Sequence, residues 1–91
     1  MIKGKTASGF AFSISDDARD DMELLENLTK LAKGDFDDLS ETIVMLLGEQ
    51  QKKKLYEHCR QKSGRVSATR VFAEIESILT SAAQKDAEIK N

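Results

Sequence analysis

Two glycines divide the second half of this chain into segments with helical apolar spacing. Gly48 follows the largely apolar segment 39–47 and precedes a lysine-rich segment, and Gly64 separates that segment from a second apolar-patterned stretch after Ser67. Glycine readily adopts the left-handed backbone conformation that ends helices, so each glycine predicts a helix boundary. The pattern therefore predicts short amphipathic helices joined by fixed turns.

Four helices are predicted in all. The first covers about residues 18–33, with acidic residues at its start, Lys30 and Lys33 in its last turn and Gly34 after it, as the helix dipole and glycine capping favour. The second follows a cap at Asp35, the third begins at Glu49, and the fourth follows a cap at Ser67. The first and second helices each have an apolar stripe. That of the first helix consists of Ala18, Met22, Leu25, Leu28 and Ala32, widened by Leu24 and Leu31, and that of the second includes Phe36, Leu39, Ile43, Leu46 and Leu47.

Residues 5–15 show a different period. Phe10, Phe12 and Ile14 recur at every second position after the turn-forming residues 7–9, which predicts a strand or hairpin with these side chains on one face against the helices. The predicted fold class is therefore mainly α, a small bundle of about four helices with a short N-terminal β-strand or hairpin. Residues 1–84 form one domain, and the polar residues 85–91 are expected to be a disordered tail.

Composition limits the kind of protein further. Ninety-one residues with 40% hydrophobic content suit one small domain. Cys59 is the single cysteine, which excludes an internal disulfide and fits a reducing compartment. The N-terminus is not followed by a signal-like apolar segment, and no stretch approaches 18 apolar residues, so we expect a soluble protein of the cytoplasm that does not bind membranes.

The small net charge of −2 hides an asymmetry between the two halves of the chain. Residues 1–49 carry eleven acids against five bases, a net charge of −6, whereas residues 50–91 carry nine bases against five acids, a net charge of +4. Such an asymmetry can steer a partner, or it can pair the two halves of the fold with each other.

We find no residue pattern in this sequence that is typical of a catalytic or cofactor-binding site. His58 and Cys59 are adjacent, so on a helix they point about a hundred degrees apart and cannot form a nucleophile–base pair. The acidic residues from Asp35 onward begin like a calcium loop, but Ser40 and Leu46 occupy the positions that need glycine and glutamate. We expect no enzyme activity, no cofactor and no metal.

The basic residues of the second half permit one alternative function. The third helix, the glycine turn and the fourth helix could form a helix-turn-helix that binds DNA through Thr69 and Arg70. Against it, the fourth helix is apolar around much of its circumference, and Glu74 and Glu76 would face phosphates. The basic residues concerned are Lys52, Lys53, Lys54, Arg60, Lys62, Arg65 and Arg70.

Four segments, in their order and spacing, resemble a known family. These are residues 8–14 (SGFAFSI), 20–25 (DDMELL), 46–56 (LLGEQQKKKLY) and 64–66 (GRV) before a helix. Over about residues 6–79 the chain resembles the tail assembly chaperones of long-tailed bacteriophages and prophages of Gram-positive bacteria. The resemblance implies a non-enzymatic protein of the bacterial host cytoplasm that binds the tape measure protein and keeps it soluble while tail tube subunits polymerise around it.

The expected partners are thus the tape measure protein and the tail tube protein; nucleic acid is not expected, and homo-oligomerisation is left open. We predict contacts through hydrophobic helix-groove packing, with basic side chains as electrostatic guides. Alternatives are a small helix-turn-helix-like DNA-binding regulator and an unrelated helical interaction module. The predicted partner-binding residues are Met45, Lys52, Lys53, Leu55, Tyr56, Arg70, Phe72 and Leu79.

Overall fold

The structure, a computed structural model, describes residues 1–90, with side chains described as far as Lys85. It is mainly helical with a small antiparallel hairpin at the N-terminus, so the predicted fold class is confirmed. The elements in chain order are β1 (Ile2–Lys5), β2 (Ala11–Ile14), α1 (Asp16–Arg19), α2 (Met22–Ala32), α3 (Leu39–Leu47), α4 (Glu49–His58) and α5 (Ala68–Lys90).

The hairpin pairs β1 with β2 in an antiparallel register that places Ile2 opposite Ile14. Phe10, Phe12 and Ile14 are all buried, which confirms the face predicted from their period of two. Its turn is closed by a hydrogen bond from the Thr6 N–H to the Phe10 carbonyl, 2.9 Å long. The first strand lies largely before the segment in which the hairpin is predicted. Residues 2–5 carry only one large apolar side chain, so they show no alternating pattern from which a strand could be predicted.

The predicted first helix is two helices in the structure. Ser15 caps α1 by accepting a hydrogen bond from the Ala18 N–H at 3.1 Å, and the helix ends after one turn. Asp21 then caps α2, because its Oδ1 accepts from the N–H groups of Glu23 and Leu24 at 2.9 and 3.2 Å. A second capping residue six positions after the first therefore divides the segment.

The second predicted helix begins later than expected, at Leu39. The Asp35 side chain accepts from the Asp37 N–H at 3.0 Å, so Asp35 stabilises a turn instead of capping a helix. Phe36 consequently lies in the loop before α3, half exposed, and is not part of the apolar face of α3.

The predicted boundary at Gly48 is confirmed. Gly48 has a φ of +85°, and its N–H donates to the Val44 carbonyl at 2.7 Å, so α3 ends there and α4 starts at the next residue. The positive φ is strained for residues with a side chain, which is why glycine suits this connection.

The core lies where α3, α4 and α5 meet the hairpin. Ile43, Leu55 and Ile78 are its most buried large side chains, at 1%, 0% and 0% exposure. Ser67 caps α5 as predicted, accepting from the Arg70 N–H at 3.2 Å. The predicted tail, residues 85–91, lies outside the described side chains except for Lys85. Within the described part of the chain, every helix is too short or too polar to cross a bilayer.

Strand β1 approaches α5 closely at Gly4. A Cβ atom added to Gly4 would lie 2.9 Å from Cζ of Phe12 and 3.1 Å from Oγ of Ser81, distances shorter than normal van der Waals contact. The absence of a side chain at Gly4 therefore allows the hairpin and α5 to pack as they do.

We expect Gly4→Ala to destabilise the protein by about 1–3 kcal/mol, because an extra methyl group in a filled space displaces its neighbours. Urea unfolding followed by circular dichroism measures the change. Lys3→Ala, on an exposed position of the same strand, is the matched control. Equal unfolding midpoints for the two variants would contradict the close approach.

Candidate functional site

An apolar groove runs along one side of the molecule between the hairpin, the α1–α2 segment and α5. It has a volume of about 420 Å³. Its floor is apolar and belongs largely to the core. The groove is lined mainly by Ile2, Ile14, Ala18, Met22, Leu24, Leu25, Leu28, Leu46, Leu79, Ala82 and Ala83.

The groove exists because its two long walls pack on different parts of the fold. Helix α2 packs mainly on α3, whereas α5 packs mainly on β1. The space between α2 and α5 is therefore left unfilled above Leu46 and Ile14. This separation follows from tertiary packing and leaves no local signal in the sequence.

Two large apolar side chains on α2 remain exposed at the groove. Met22 is 63% exposed and Leu25 is 55% exposed, whereas Leu24 between them is 3% exposed. The predicted stripe thus includes both core and surface residues, because seven apolar positions on the α1–α2 segment are more than one packing face can bury. Exposed apolar side chains beside an apolar depression mark a surface suited to binding another molecule.

The charged groups at the groove lie on the side of α1 and α2. Asp20 and Asp21 line this edge together with Arg19, which has an ion pair with Asp16 at 3.6 Å. On the opposite wall, the α5 side chains that the structure describes at the groove are Leu79, Ala82 and Ala83, which are uncharged. The two walls of the groove therefore differ in polarity.

A buried polar cluster lies elsewhere, at the turn of the hairpin. Glu74 on α5 is only 5% exposed, and its Oε1 accepts hydrogen bonds from the hydroxyls of Ser8 and, at 3.2 Å, Thr6. Nε2 of His58 is 3.1 Å from the same oxygen and 2.8 Å from Oγ of Ser8. The cluster joins the hairpin turn, the end of α4 and α5.

This Ser–His–Glu arrangement differs from a catalytic triad in its geometry. In a triad, the nucleophile and the carboxylate bind opposite nitrogens of the imidazole ring, whereas Ser8 and Glu74 both approach Nε2. The Gly9 and Phe10 N–H groups of the turn are already bonded to Thr6. The cluster is thus arranged to satisfy a buried carboxylate and to hold the turn against the helices.

Cys59, next to His58, belongs to the core. It is 1% exposed, and burial raises the pKa of its thiol; the negative charge of Glu74 raises that pKa further, while Arg70 acts in the opposite direction. A buried thiol that stays protonated is a poor nucleophile. His58 and Cys59 point to different surroundings, as their adjacent positions on a helix predict.

The predicted partner-binding residues do not form one surface. Leu79 lines the groove, and Met45 is half buried beside α2, where its sulfur accepts from Nδ2 of Asn27 at 3.4 Å. Leu55 must be reassigned to the core, because it has no exposed surface. As one of the few apolar residues on a lysine-rich helix, it is a main anchor of α4 to the core, against which Tyr56 also packs.

The remaining predicted residues lie on other parts of the surface. Nζ of Lys52 is 5.5 Å from the centre of the half-buried Tyr56 ring, while Lys53 and Arg70 are exposed. Phe72 is 37% exposed and packs on Phe36, with 4.9 Å between ring centroids. Met22 and Leu25 are not among the partner-binding residues predicted from the sequence. The width of the apolar stripe to which they belong is the signal that could have identified them as surface residues.

The chain matches no family model, no curated protein and no solved structure. Among the residues that the structure describes, no three His, Cys, Asp or Glu side chains converge as a metal site would require. Of the two acids expected to face phosphates in the helix-turn-helix alternative, Glu74 is buried and Glu76 is exposed, so only Glu76 would repel DNA there. The groove combines an apolar lining with two exposed apolar side chains, which suits it to bind a partner.

Replacing Glu74 with alanine should destabilise the protein by about 1.5–3 kcal/mol, since the hydroxyls of Thr6 and Ser8 would lose a charged acceptor. Thermal or urea unfolding measures this change. Glu76→Ala, at an exposed position on the same helix, is the control and should change stability by less than about 0.5 kcal/mol. A Glu74→Ala protein as stable as the control would show that the cluster does not hold the turn.

Proposed function

We propose that this protein is a tail assembly chaperone of a long-tailed bacteriophage or prophage of Gram-positive bacteria. In this role it binds the tape measure protein and assists assembly of the tail tube. The observation that supports the proposal most directly is the apolar groove with Met22 and Leu25 exposed beside it. The resemblance of four sequence segments to the family is the second support.

The shape and lining of the groove suit a helical partner. Helices bind such grooves by placing side chains at positions i, i+3, i+4 and i+7 into an apolar depression. The volume of about 420 Å³ is comparable to that of typical ligand pockets, and the groove follows the space between α2 and α5. Binding in the groove would cover the apolar face of a long helical protein that otherwise aggregates through that face.

The groove changes which residues we propose as contacts. Met22, Leu25 and Leu28 on α2 and Leu79 on α5 line the groove and form the main proposed contact set. Of the residues predicted from sequence, Met45, Tyr56 and Phe72 lie outside the groove lining, as do the guides Lys52, Lys53 and Arg70. We assign those residues to a separate contact with the tail tube protein, while the groove binds the tape measure protein.

Co-expression with a tape measure fragment should raise the soluble yield of that fragment and give a complex on a sizing column. Leu25→Lys should abolish the gain, because it places a charge where the apolar face of the partner would lie. Soluble yield is measured on gels after centrifugation, and the thermal midpoint of each variant is measured in parallel.

Phe36→Lys is the matched control, since Phe36 is also a large exposed apolar residue but lies outside the groove lining. It should leave the gain in yield intact. An unchanged yield with the unaltered protein and no complex would contradict the proposed function. Loss of the gain in Phe36→Lys alone would instead move the site to the Phe36–Phe72 pair.

A further inference from the structure

The charged edge of the groove indicates which kind of helix it accepts. Resting on the proposed function, we propose that the groove selects an amphipathic helix that carries Lys or Arg along one side of its apolar face. In the bound orientation, that side faces α1 and α2, and the uncharged side faces α5.

The first argument is the charge of the α1–α2 edge. Residues 16–26 carry six acids and one base, a net charge of −5. Asp20 lies at the groove itself and is exposed, and Glu26 lies one helical turn after the groove residue Met22 and is also exposed. The one base, Arg19, also lines the groove and has an ion pair with Asp16, and a single positive charge leaves the segment as a whole acidic.

The second argument is the contrast between the walls. Ala82 and Ala83 on α5 are small and apolar, which lets a helix lie close to that wall, and the side chains described along it carry no charge to be matched. A partner helix with basic residues on both sides would leave one set without a counter-charge. Charge complementarity across the rim affects partner choice and orientation more than overall affinity.

The third argument concerns the groove floor. Its residues are apolar and include Ile2, Ile14, Leu24 and Leu46, which are all buried. A basic side chain could not enter the floor without losing its hydration, so the bases of the partner must lie at the rim. The apolar floor and the acidic edge together specify an amphipathic helix with its bases on one flank.

The test uses three synthetic helical peptides with the same leucine-rich face and with Lys, Gln or Glu at the positions flanking one side of it. Fluorescence anisotropy with the full chain measures their affinities. At low salt the Lys peptide should bind about tenfold more tightly than the Glu peptide, with the Gln peptide between them. The difference should shrink as salt is raised toward about 0.5 M, because exposed charges are screened.

Reversing the edge charge should reverse the preference. The double variant Asp20→Lys with Glu26→Lys should prefer the Glu peptide; Asp21 is kept because it caps α2. The control double variant Asp37→Lys with Glu76→Lys changes net charge equally at exposed positions outside the groove lining, and it should still prefer the Lys peptide.

Equal binding of the three peptides would overturn the charge selection while leaving the proposed function intact. A preference for the Glu peptide, or a preference that the Asp20 and Glu26 changes do not alter, would overturn it as well. Binding of no peptide, with self-association that Leu25→Lys abolishes, would show that a second copy occupies the groove. If the tape measure fragment is still solubilised in that case, the chaperone acts through another surface.

Discussion

Burial of the apolar face of the N-terminal hairpin holds the helices in their arrangement. A two-stranded hairpin is barely stable alone in water, and helices of nine or ten residues such as α3 and α4 are equally weak in isolation. Phe12 and Ile14 become buried only when the hairpin and helices meet. The close approach at Gly4 and the hydrogen bonds to Glu74 fix the hairpin relative to α5 at two separate places.

The same packing produces the groove. Because the hairpin occupies the surface of α5 near Gly4 and α2 packs on α3, the space between α2 and α5 stays open in the part of the chain that the structure describes. Met22 and Leu25 stay exposed there, in a chain too small to bury every apolar side chain it carries. The acidic α1–α2 edge gives this apolar surface a polarity that a partner helix can match.

Local patterns in the sequence predict much of the fold but little of the site. The period of two at Phe10, Phe12 and Ile14 and the glycine at residue 48 predict the hairpin face and a helix boundary correctly, because each depends on neighbouring residues. The division of the first helix was missed because its acidic segment offers several capping residues, and only the hydrogen bonds of Ser15 and Asp21 distinguish them.

Features that depend on distant parts of the chain could not be predicted in this way. Glu74 is buried because the hairpin turn supplies hydroxyls from more than sixty positions earlier in the sequence. Leu55 is predicted as a contact residue because it is an apolar side chain on a surface helix, but in the structure it is fully buried and is a main anchor of α4. The groove likewise arises from where α2 and α5 pack.

The most direct test of this account is an NMR titration of the isotope-labelled protein with a helical tape measure fragment. The account predicts that the largest amide shift changes fall in residues 18–28 and 79–83, on both walls of the groove. Changes centred on the lysines of α4 or on Phe36 and Phe72, with the groove residues unaffected, would contradict it.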